Sequence, residues 1–274
     1  LDGSYKTAAE SRTDYRSTAV NEQKNTAYGV SLGYEMPAGV GYQAAYRRSA
    51  VDYSLLQFKP NEYAVDSFTG TVSYRISPDS RIYAAYRRDD TAYKEDMPLG
   101  STLVNNSSAA DSIRFGLEKT ISPKTAVSCY IGYLDRRHDQ AAGRDFSSVI
   151  ARVAATYGVT NKLGLMLNGE RDVYEETYSD WFYSVTNTFG IGLVYEITDK
   201  TRATLYNTLS WKDFQDIPGS GAAKRNDFLH NMNIGLEWSP LNRLTINLGY
   251  QYSMRSSDND IYNFTDHTVI TGIA

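Results

Sequence analysis

Residues 243–255 read RLTINLGYQYSMR, and apolar and polar side chains alternate along almost the whole stretch. The apolar side chains occupy every second position: Leu244, Ile246, Leu248, Tyr250 and Tyr252. The positions between them carry the other set: Arg243, Thr245, Asn247, Gly249 and Gln251. Because successive side chains of a β-strand point to opposite faces, this period of two predicts a strand with one apolar and one polar face.

The same period recurs along the whole chain, and helical spacing does not fit these runs. It therefore predicts an all-β fold. Each segment has at least the about 9–11 residues that a tilted strand needs to cross a bilayer. About 14 segments show the pattern, near residues 3–14, 26–35, 40–52, 64–75, 81–92, 110–120, 125–137, 146–158, 163–174, 182–197, 201–213, 226–238, 243–256 and 261–273.

The composition fits a membrane-spanning sheet better than a membrane-spanning helix. Mean hydropathy over the 274 residues is −0.47, and no run approaches the roughly 18 apolar residues of a membrane helix. A transmembrane barrel tolerates such polarity, because only every second residue faces lipid. The net charge of −4 gives no argument for nucleic-acid binding, and the single cysteine, Cys129, excludes an intrachain disulfide.

The connections between these segments alternate in length. Short ones rich in Pro, Asn and Asp lie at 36–39, 77–80, 122–124, 160–162, 198–200 and 239–242. Long ones lie near 15–25, 53–63, 93–109, 138–145, 175–181, 214–225 and 257–260. Bacterial outer-membrane barrels have short periplasmic turns and longer outer loops. We therefore expect residues 1–274 to form one transmembrane antiparallel up-and-down β-barrel domain, with both chain ends in the periplasm.

Aromatic residues of the apolar parity gather at both ends of the predicted strands. One set stands just before the short connections: Tyr34, Tyr74, Tyr157, Tyr195 and Trp238. A second set stands near the opposite ends: Tyr46, Tyr86, Tyr133, Trp211 and Tyr252. Two such rings are the aromatic girdles expected at the two membrane interfaces.

A short motif repeats at the scale of one hairpin. The sequence AAYRR at residues 44–48 recurs at residues 84–88, and YLDRR at residues 133–137 is a weaker echo. The repeat is typical of one strand pair used several times around a closed sheet, since closure removes unpaired edges in lipid.

Charged residues at the alternate strand positions, which face away from lipid, are predicted to line the lumen of the barrel. They are Arg47, Arg75, Arg87, Arg114, Arg136, Arg152, Glu170, Glu196, Arg202, Lys212, Glu237 and Arg243. The six arginines at its start would attract carboxylates or sulfates on a passing polymer. The same charges could instead form structural ladders across neighbouring strands. Tyr83, Tyr130 and Tyr206 could stack on sugar rings, and small residues such as Gly132, Gly190, Gly192 and Gly235 would leave room.

Signals of catalysis are poor, and we expect no enzyme, no cofactor and no metal site. His138 is followed by Asp139, but one such pair in a loop has no evident third partner. His230 and His267 stand alone, and Cys129 has the parity of the lipid-facing residues. We assign no catalytic and no metal-binding residue.

The second half of the chain resembles a family of outer-membrane barrels encoded with bacterial exopolysaccharide biosynthesis genes. The resemblance lies in the following stretches: RDVYEE at 171–176, RNDF at 225–228, IGLEWSP at 234–240, LGYQY at 248–252, RSSDN at 255–259 and YNFTDH at 262–267. It implies a Gram-negative outer-membrane location and a conduit for exopolysaccharide export, helped by a periplasmic export partner. Relatives tend to be longer, so the resemblance leaves room for 16–18 strands in a full-length protein.

Three other functions remain open on the sequence. A general diffusion porin for small solutes would use an inward-folding loop, for which residues 93–109 are the best candidate. A scaffold barrel would sheathe a partner protein such as a cytochrome, and a surface-binding barrel would act through its loops. All four share outer-membrane lipid as surroundings.

Overall fold

The computed structural model describes residues 2–9, 22–99, 102–140, 142–176, 181–216, 224–241 and 243–273. Fourteen antiparallel strands form one sheet, and two short strands form a separate hairpin. The bounds of the strands of the large sheet are β1 (Asp2–Ala9), β2 (Glu22–Glu35), β3 (Val40–Tyr53), β4 (Tyr63–Ser77), β5 (Ser80–Tyr93), β8 (Ser108–Ser122), β9 (Thr125–His138), β10 (Phe146–Gly158), β11 (Leu163–Glu175), β12 (Trp181–Thr198), β13 (Thr201–Asp216), β14 (Arg225–Leu241), β15 (Leu244–Ser257) and β16 (Phe264–Ile273).

The order of strands in the sheet follows their order in the chain. Each strand lies beside its predecessor, and β8 lies beside β5 because the hairpin of β6 (Met97–Leu99) and β7 (Thr102–Val104) stands apart. This up-and-down order confirms the predicted all-β fold and the number of strands. None of the helices in the described ranges is long and apolar enough to cross a membrane.

The chain divides into two compact units. Unit 1 comprises residues 1–116 and 131–149, and unit 2 comprises residues 117–130 and 150–274. Unit 1 therefore contains β1–β7, and unit 2 contains β11–β16 together with most of β10.

Three boundaries differ from the sequence prediction. Strand β2 begins at Glu22, inside the stretch predicted as a loop, and the predicted loop 93–109 contains the hairpin β6–β7. Residues 261–263 do not begin the last strand, because Asp260–Tyr262 form a 3-10 helix. The side chain of Asn259 accepts a hydrogen bond from the Ile261 backbone N–H, and such local bonding competes with a strand ladder. Residues 10–21, predicted as a strand end and a loop, lie outside the described residues.

Short connections join the strands at one end of each hairpin. In the turn at 36–39, Gly39 has a φ of +84°, and its N–H donates to the Met36 carbonyl at 2.9 Å. A Cβ at this position would also lie 3.2 Å from the Arg75 carbonyl oxygen. Glycine is required here because other residues rarely adopt this backbone conformation.

Candidate channel lining

The strand register of unit 1 separates two faces of the sheet. Directly opposite residues share a face, and the run Val30, Tyr46 and Phe68 crosses three strands on one of them. This side, which we call the apolar face, is exposed in the protein alone: Leu32 is 74% exposed and Tyr34 is 65% exposed. So large an exposed apolar surface indicates contact with another apolar medium.

Unit 2 has the same two faces. A single row of apolar residues crosses its strands from β11 to β16: Leu165, Leu193, Leu205, Ile234, Tyr250 and Val269. The opposite side of each strand, which we call the polar face, carries most of the predicted channel residues. The alternation read from the sequence thus holds in both units.

The register places the predicted girdle residues on the apolar face. The first set lies within four residues of the short connections: Tyr34, Tyr74, Tyr157, Tyr195 and Trp238. Of the second set, Tyr133, Trp211 and Tyr252 lie nearer the long connections, whereas Tyr46 and Tyr86 lie at the middle of β3 and β5 and not at the strand ends where the sequence placed them. Their role at the membrane interfaces stays a prediction.

The motif AAYRR has a structural counterpart on the apolar face. Tyr46 donates a hydrogen bond to Asp66 at 2.5 Å, and Arg48 forms an ion pair with the same carboxylate at 2.7 Å. The second copy repeats the arrangement, with Tyr86 and Arg88 both on Asp111. The first arginine of each copy lies on the polar face instead, because neighbouring residues alternate.

Three of the predicted arginines lie on the polar face of β3–β5 in unit 1. Arg75 forms an ion pair with Glu35, which Arg81 also approaches at 3.3 Å. Arg87 binds Asp89 at 2.8 Å. Arg47 is exposed, and its guanidinium forms no ion pair or hydrogen bond within the described part of the chain.

The other two predicted arginines of unit 1 come from β8 and β9. Arg136 donates to the Ser108 hydroxyl at 3.1 Å, and its guanidinium lies 5.9 Å from the centre of the Phe146 ring. The side chain of Arg114 lies against Gly132, where a Cβ would be 3.0 Å from its Cγ. Both arginines are half-buried and make further contacts.

Charges on the polar face of unit 2 alternate in sign across the strands. Arg152 lies opposite Glu170, and Arg202 lies between Glu196 on one side and Glu237 on the other. None of these five side chains forms a salt bridge among the described residues, although they are neighbours in register.

Two predicted residues have different surroundings. Lys212 forms a 2.6 Å ion pair with Glu176, which lies just beyond the end of β11. Arg243 is exposed in the turn before β15, one residue outside the ladder in which the sequence placed it.

Small residues of the polar face do not simply leave open space. A Cβ at Gly192 would lie 2.9 Å from the Tyr206 ring, and one at Gly116 would lie 2.5 Å from the Tyr83 hydroxyl. Each glycine therefore receives the ring of a neighbouring strand. The expectation that Gly192 leaves room in the lumen is wrong, because the Tyr206 ring covers its backbone.

Sequence reasoning missed a buried cluster at the long-connection end of unit 2, which we call the Arg225 cluster. Arg225 is 5% exposed and donates two hydrogen bonds to Asp227, at 2.8 Å from Nε and 2.5 Å from Nη2. Its guanidinium lies 3.5 Å from the centre of the Tyr262 ring, 4.2 Å from Phe214 and 5.1 Å from Trp181. The spacing of Arg225 and Asp227 was a visible signal, whereas the aromatic partners were not.

A second network joins the long connections of unit 1. Burial of Glu62 opposes its ionisation, but hydrogen bonds from Lys59, the Tyr53 backbone N–H and Lys94 outweigh it and lower the pKa of Glu62 to about 2. Lys94 also binds Asp52, and both partners raise the pKa of Lys94. This network fixes the loop of residues 54–62 against the start of the next long connection.

Polar contacts also hold the connections around residues 105–107 and 138–145 of unit 1. Asn106, which lies in the candidate inward-folding loop 93–109, is fully buried and accepts a hydrogen bond from Arg144. The ring of His138 lies 3.7 Å from Asp145, and the backbone N–H of Asp139 donates to the Ser107 carbonyl. These contacts anchor loops to one another, and no group of residues suited to a metal ion occurs within the described ranges.

Comparison with known proteins identifies the family to which the sequence is similar. Residues 45–274 match the model of a family described as "Putative beta-barrel porin 2". No curated protein matches the chain.

Among solved structures, the chain is similar to an iron transporter and to two outer membrane receptors. The FrpB iron transporter from Neisseria meningitidis (F3-3 variant) has a TM-score of 0.58 at 9% identity, covering 87% of this chain and 45% of that one. The pyoverdine outer membrane receptor FpvA from Pseudomonas aeruginosa has 0.59 at 9% identity, with 92% and 48% covered. The alcaligin outer membrane receptor FauA from Bordetella pertussis has 0.55 at 9% identity, with 87% and 47% covered. The chain spans less than half the length of these proteins, and the likeness concerns the fold alone.

Proposed function

The chain belongs to the family described as Putative beta-barrel porin 2, and from that premise we propose that it forms an outer-membrane conduit for an exopolysaccharide. The family makes it an outer-membrane β-barrel of porin type, which is consistent with a protein that is not an enzyme. Lipid surrounds such a barrel, and solutes pass through it.

One observation carries the channel function: every long strand has an exposed apolar face and a polar face. In a bilayer the apolar face meets hydrocarbon, and the polar face meets a water-filled interior. Leu32, Phe115 and Ile131, each more than half exposed, are then covered by lipid. The same residues would disfavour a water-soluble state.

The polar face of unit 1 supports a substrate with anionic groups. Arg47 is exposed and unpaired among the described residues, and guanidinium groups bind carboxylates and sulfates in a bidentate manner. Arg75 and Arg87 are already paired with carboxylates, so each would hold a polymer only weakly. Weak contacts at several positions suit conduction, because a tight site would stop the polymer from leaving.

We propose that the short turns and both chain ends face the periplasm. A periplasmic export partner, or synthesis of the polymer itself, would then supply the driving force. No cofactor is required for this function.

A diffusion porin for small solutes is the second candidate, and the family description favours it. Single-channel conductance of the purified protein in planar bilayers separates the two. The conduit predicts an open conductance that anionic polysaccharide blocks at concentrations where its monosaccharides do not. A porin predicts an open conductance without polymer block.

A silent protein would contradict both open-channel functions. Co-purification of a haem protein with a silent barrel would then identify a sheath for a cytochrome. If neutral and anionic polymers block the channel equally well, the proposed role of the arginines is contradicted, but the proposed polysaccharide conduit is retained.

A further inference from the structure

A groove lies on the polar face of unit 2, across β13, β14 and β15, with one side chain from β16. Its volume is about 400 Å³. Asn233, Glu237, Asn247 and Gln251 line it, together with Arg202. All five are on the same face of the sheet, since Asn233 lies opposite Gln251 and Glu237 lies opposite both Arg202 and Asn247.

The polar groups of this groove have spare hydrogen-bonding capacity. Asn233, Asn247 and Glu237 are exposed, and their side chains form no hydrogen bond within the part of the chain that the structure describes. Gln251 makes only a long bond of 3.4 Å to Ser253. Each amide offers two donors and an acceptor oxygen, so the groove presents both kinds of group together.

The floor of the groove is backbone. Gly235 and Gly249 lie directly opposite each other on adjacent strands. A Cβ at Gly235 would lie 2.6 Å from the Thr204 hydroxyl, and one at Gly249 would lie 3.5 Å from the Cβ of Ile270, so these two side chains flank the glycines. A ligand held between the amides would therefore also meet the Thr204 hydroxyl.

The charge around the groove disfavours anions. Arg202 is the one cation among its lining residues, and it has a glutamate on each neighbouring strand, Glu196 and Glu237. A polyanion would meet more negative than positive charge here. A hydroxyl-rich neutral ligand would instead satisfy amides and carboxylates without an unfavourable charge.

Tyr206 stands next to the groove on the polar face. It lies opposite Asn233 on the neighbouring strand, and 39% of its surface is exposed. Its ring covers Gly192 on β12, on the side of β13 away from β14, so the ring does not line the groove.

We infer that this groove is a subsite for an uncharged sugar segment, bound through the amides of Asn233, Asn247 and Gln251. The inference rests on the proposed function and gives the substrate a neutral part as well as an anionic one.

The test measures binding of cellohexaose and maltohexaose, two neutral hexasaccharides, to the full chain in detergent micelles by saturation-transfer NMR. The probe for charge is a hexameric oligogalacturonate. The double substitution Asn233→Leu with Asn247→Leu removes two amides at nearly constant size. Asn231→Leu is the matched control, because Asn231 lies on the same face of β14 and outside the groove.

Binding of at least one neutral hexamer should weaken about tenfold in the double variant and less than about twofold in Asn231→Leu. Equal binding by the wild type and the double variant would overturn the subsite, as would binding of oligogalacturonate alone or of none of the three probes. Gln251→Ala serves as a second variant, with retained β-sheet circular dichroism as the check on folding.

Conductance measured on the same preparations separates this result from the channel function. A silent wild type that binds a neutral hexamer through the groove would reject the open conduit and keep the subsite. If the wild type conducts and the double variant binds the hexamers as well as the wild type does, the open conduit is kept and the subsite is rejected.

Discussion

The polar faces of the two units follow the same alternation but carry different chemistry. In β2–β5 and the unit 1 parts of β8 and β9, six arginines share the face with two carboxylates: Arg47, Arg75, Arg81, Arg87, Arg114 and Arg136 with Glu35 and Asp89. In β10–β16 of unit 2, five cations share it with six carboxylates: Arg152, Arg202, Lys212, Arg225 and Arg255 with Glu170, Asp172, Glu196, Asp227, Glu237 and Asp266.

This difference shows that the period of two decides the fold, while the charge along the polar face can vary without disturbing it. A strand needs only a polar residue at the second position to keep its faces apart. Whether that residue is an arginine or an amide is then decided by what the face contacts.

The largest expected effect is on the free energy of unfolding, and it compares the loss of a buried arginine of unit 2 with the loss of an exposed arginine of unit 1. Arg225→Ala would leave Asp227, which is 3% exposed, without its main partner, and we expect a loss of about 3–5 kcal/mol in the free energy of unfolding. Arg47→Ala removes an exposed side chain and should change the free energy of unfolding by less than about 0.5 kcal/mol. Urea titration in detergent, followed by tryptophan fluorescence, measures both. Equal losses would mean that burial does not distinguish the two arginines.

The second effect is the pH dependence of unit 1. Because the pKa of Glu62 is lowered from 4.5 to about 2 in the folded protein, its ionisation stabilises the fold above pH 4.5. At about 1.4 kcal/mol per pH unit this amounts to about 3 kcal/mol, which is lost progressively as pH falls from 4.5 towards 2. The free energy of unfolding of Glu62→Gln, measured by urea titration at several pH values, should therefore fall furthest below that of the wild type at neutral pH and least near pH 2.

The control for this pH effect is an exposed carboxylate of unit 2. Glu237→Gln should change the free energy of unfolding little at any pH, because the Glu237 side chain is exposed and forms no hydrogen bond or salt bridge among the described residues. A constant difference between Glu62→Gln and the wild type from pH 7 to pH 2 would contradict the linkage.

The third effect tests steering by charge. Arg47→Glu in unit 1 should slow the rate at which an anionic oligosaccharide enters and blocks the channel, by roughly three- to tenfold at low salt. Arg152→Glu in unit 2 makes the same change beside Glu170, where the face already carries more negative charge, and we expect a smaller effect. Event frequencies in single-channel recordings measure both, and high salt should abolish the difference.

The smallest expected effect is on sugar binding, and it compares two tyrosines whose rings each cover a glycine. Tyr206→Leu should weaken binding of a neutral hexasaccharide about twofold at most, because Tyr206 lies directly opposite Asn233 of the amide-lined groove of unit 2. Tyr83→Leu in unit 1 should leave that binding unchanged. A titration followed by NMR measures both, and an equal effect of the two substitutions would remove Tyr206 from the site.

The sequence predicted the strands well because the signal for each is local. Five residues of one parity between Leu244 and Tyr252 identify β15 without knowledge of any other strand. The starts of strands were less predictable, as at Glu22, because residues there have no apolar side to reveal the period. Asn259 and Asp260 also interrupt a pattern that the sequence reads as continuous.

The chemistry of particular positions was less predictable than the strands. The partners of Arg225 lie on β12, on β13 and in a 3-10 helix, and no spacing in the sequence brings Trp181 and Tyr262 to the same guanidinium. The glycines were predicted as space, and Tyr206 fills the space at Gly192. Such contacts depend on register between strands, which a single strand does not contain.

The lengths of the unit 2 strands determine where the Arg225 cluster lies along the membrane normal. Arg225 and Trp238 stand at opposite ends of β14, 13 residues apart, which is about 43 Å along a strand with a rise of about 3.3 Å per residue. At a tilt of about 40° this gives roughly 33 Å, more than the about 25 Å height of the apolar band of such barrels. If the short turns face the periplasm, as proposed above, the cluster lies beyond the hydrocarbon on the outer side of the membrane, within reach of surface glycans, phage and antibodies.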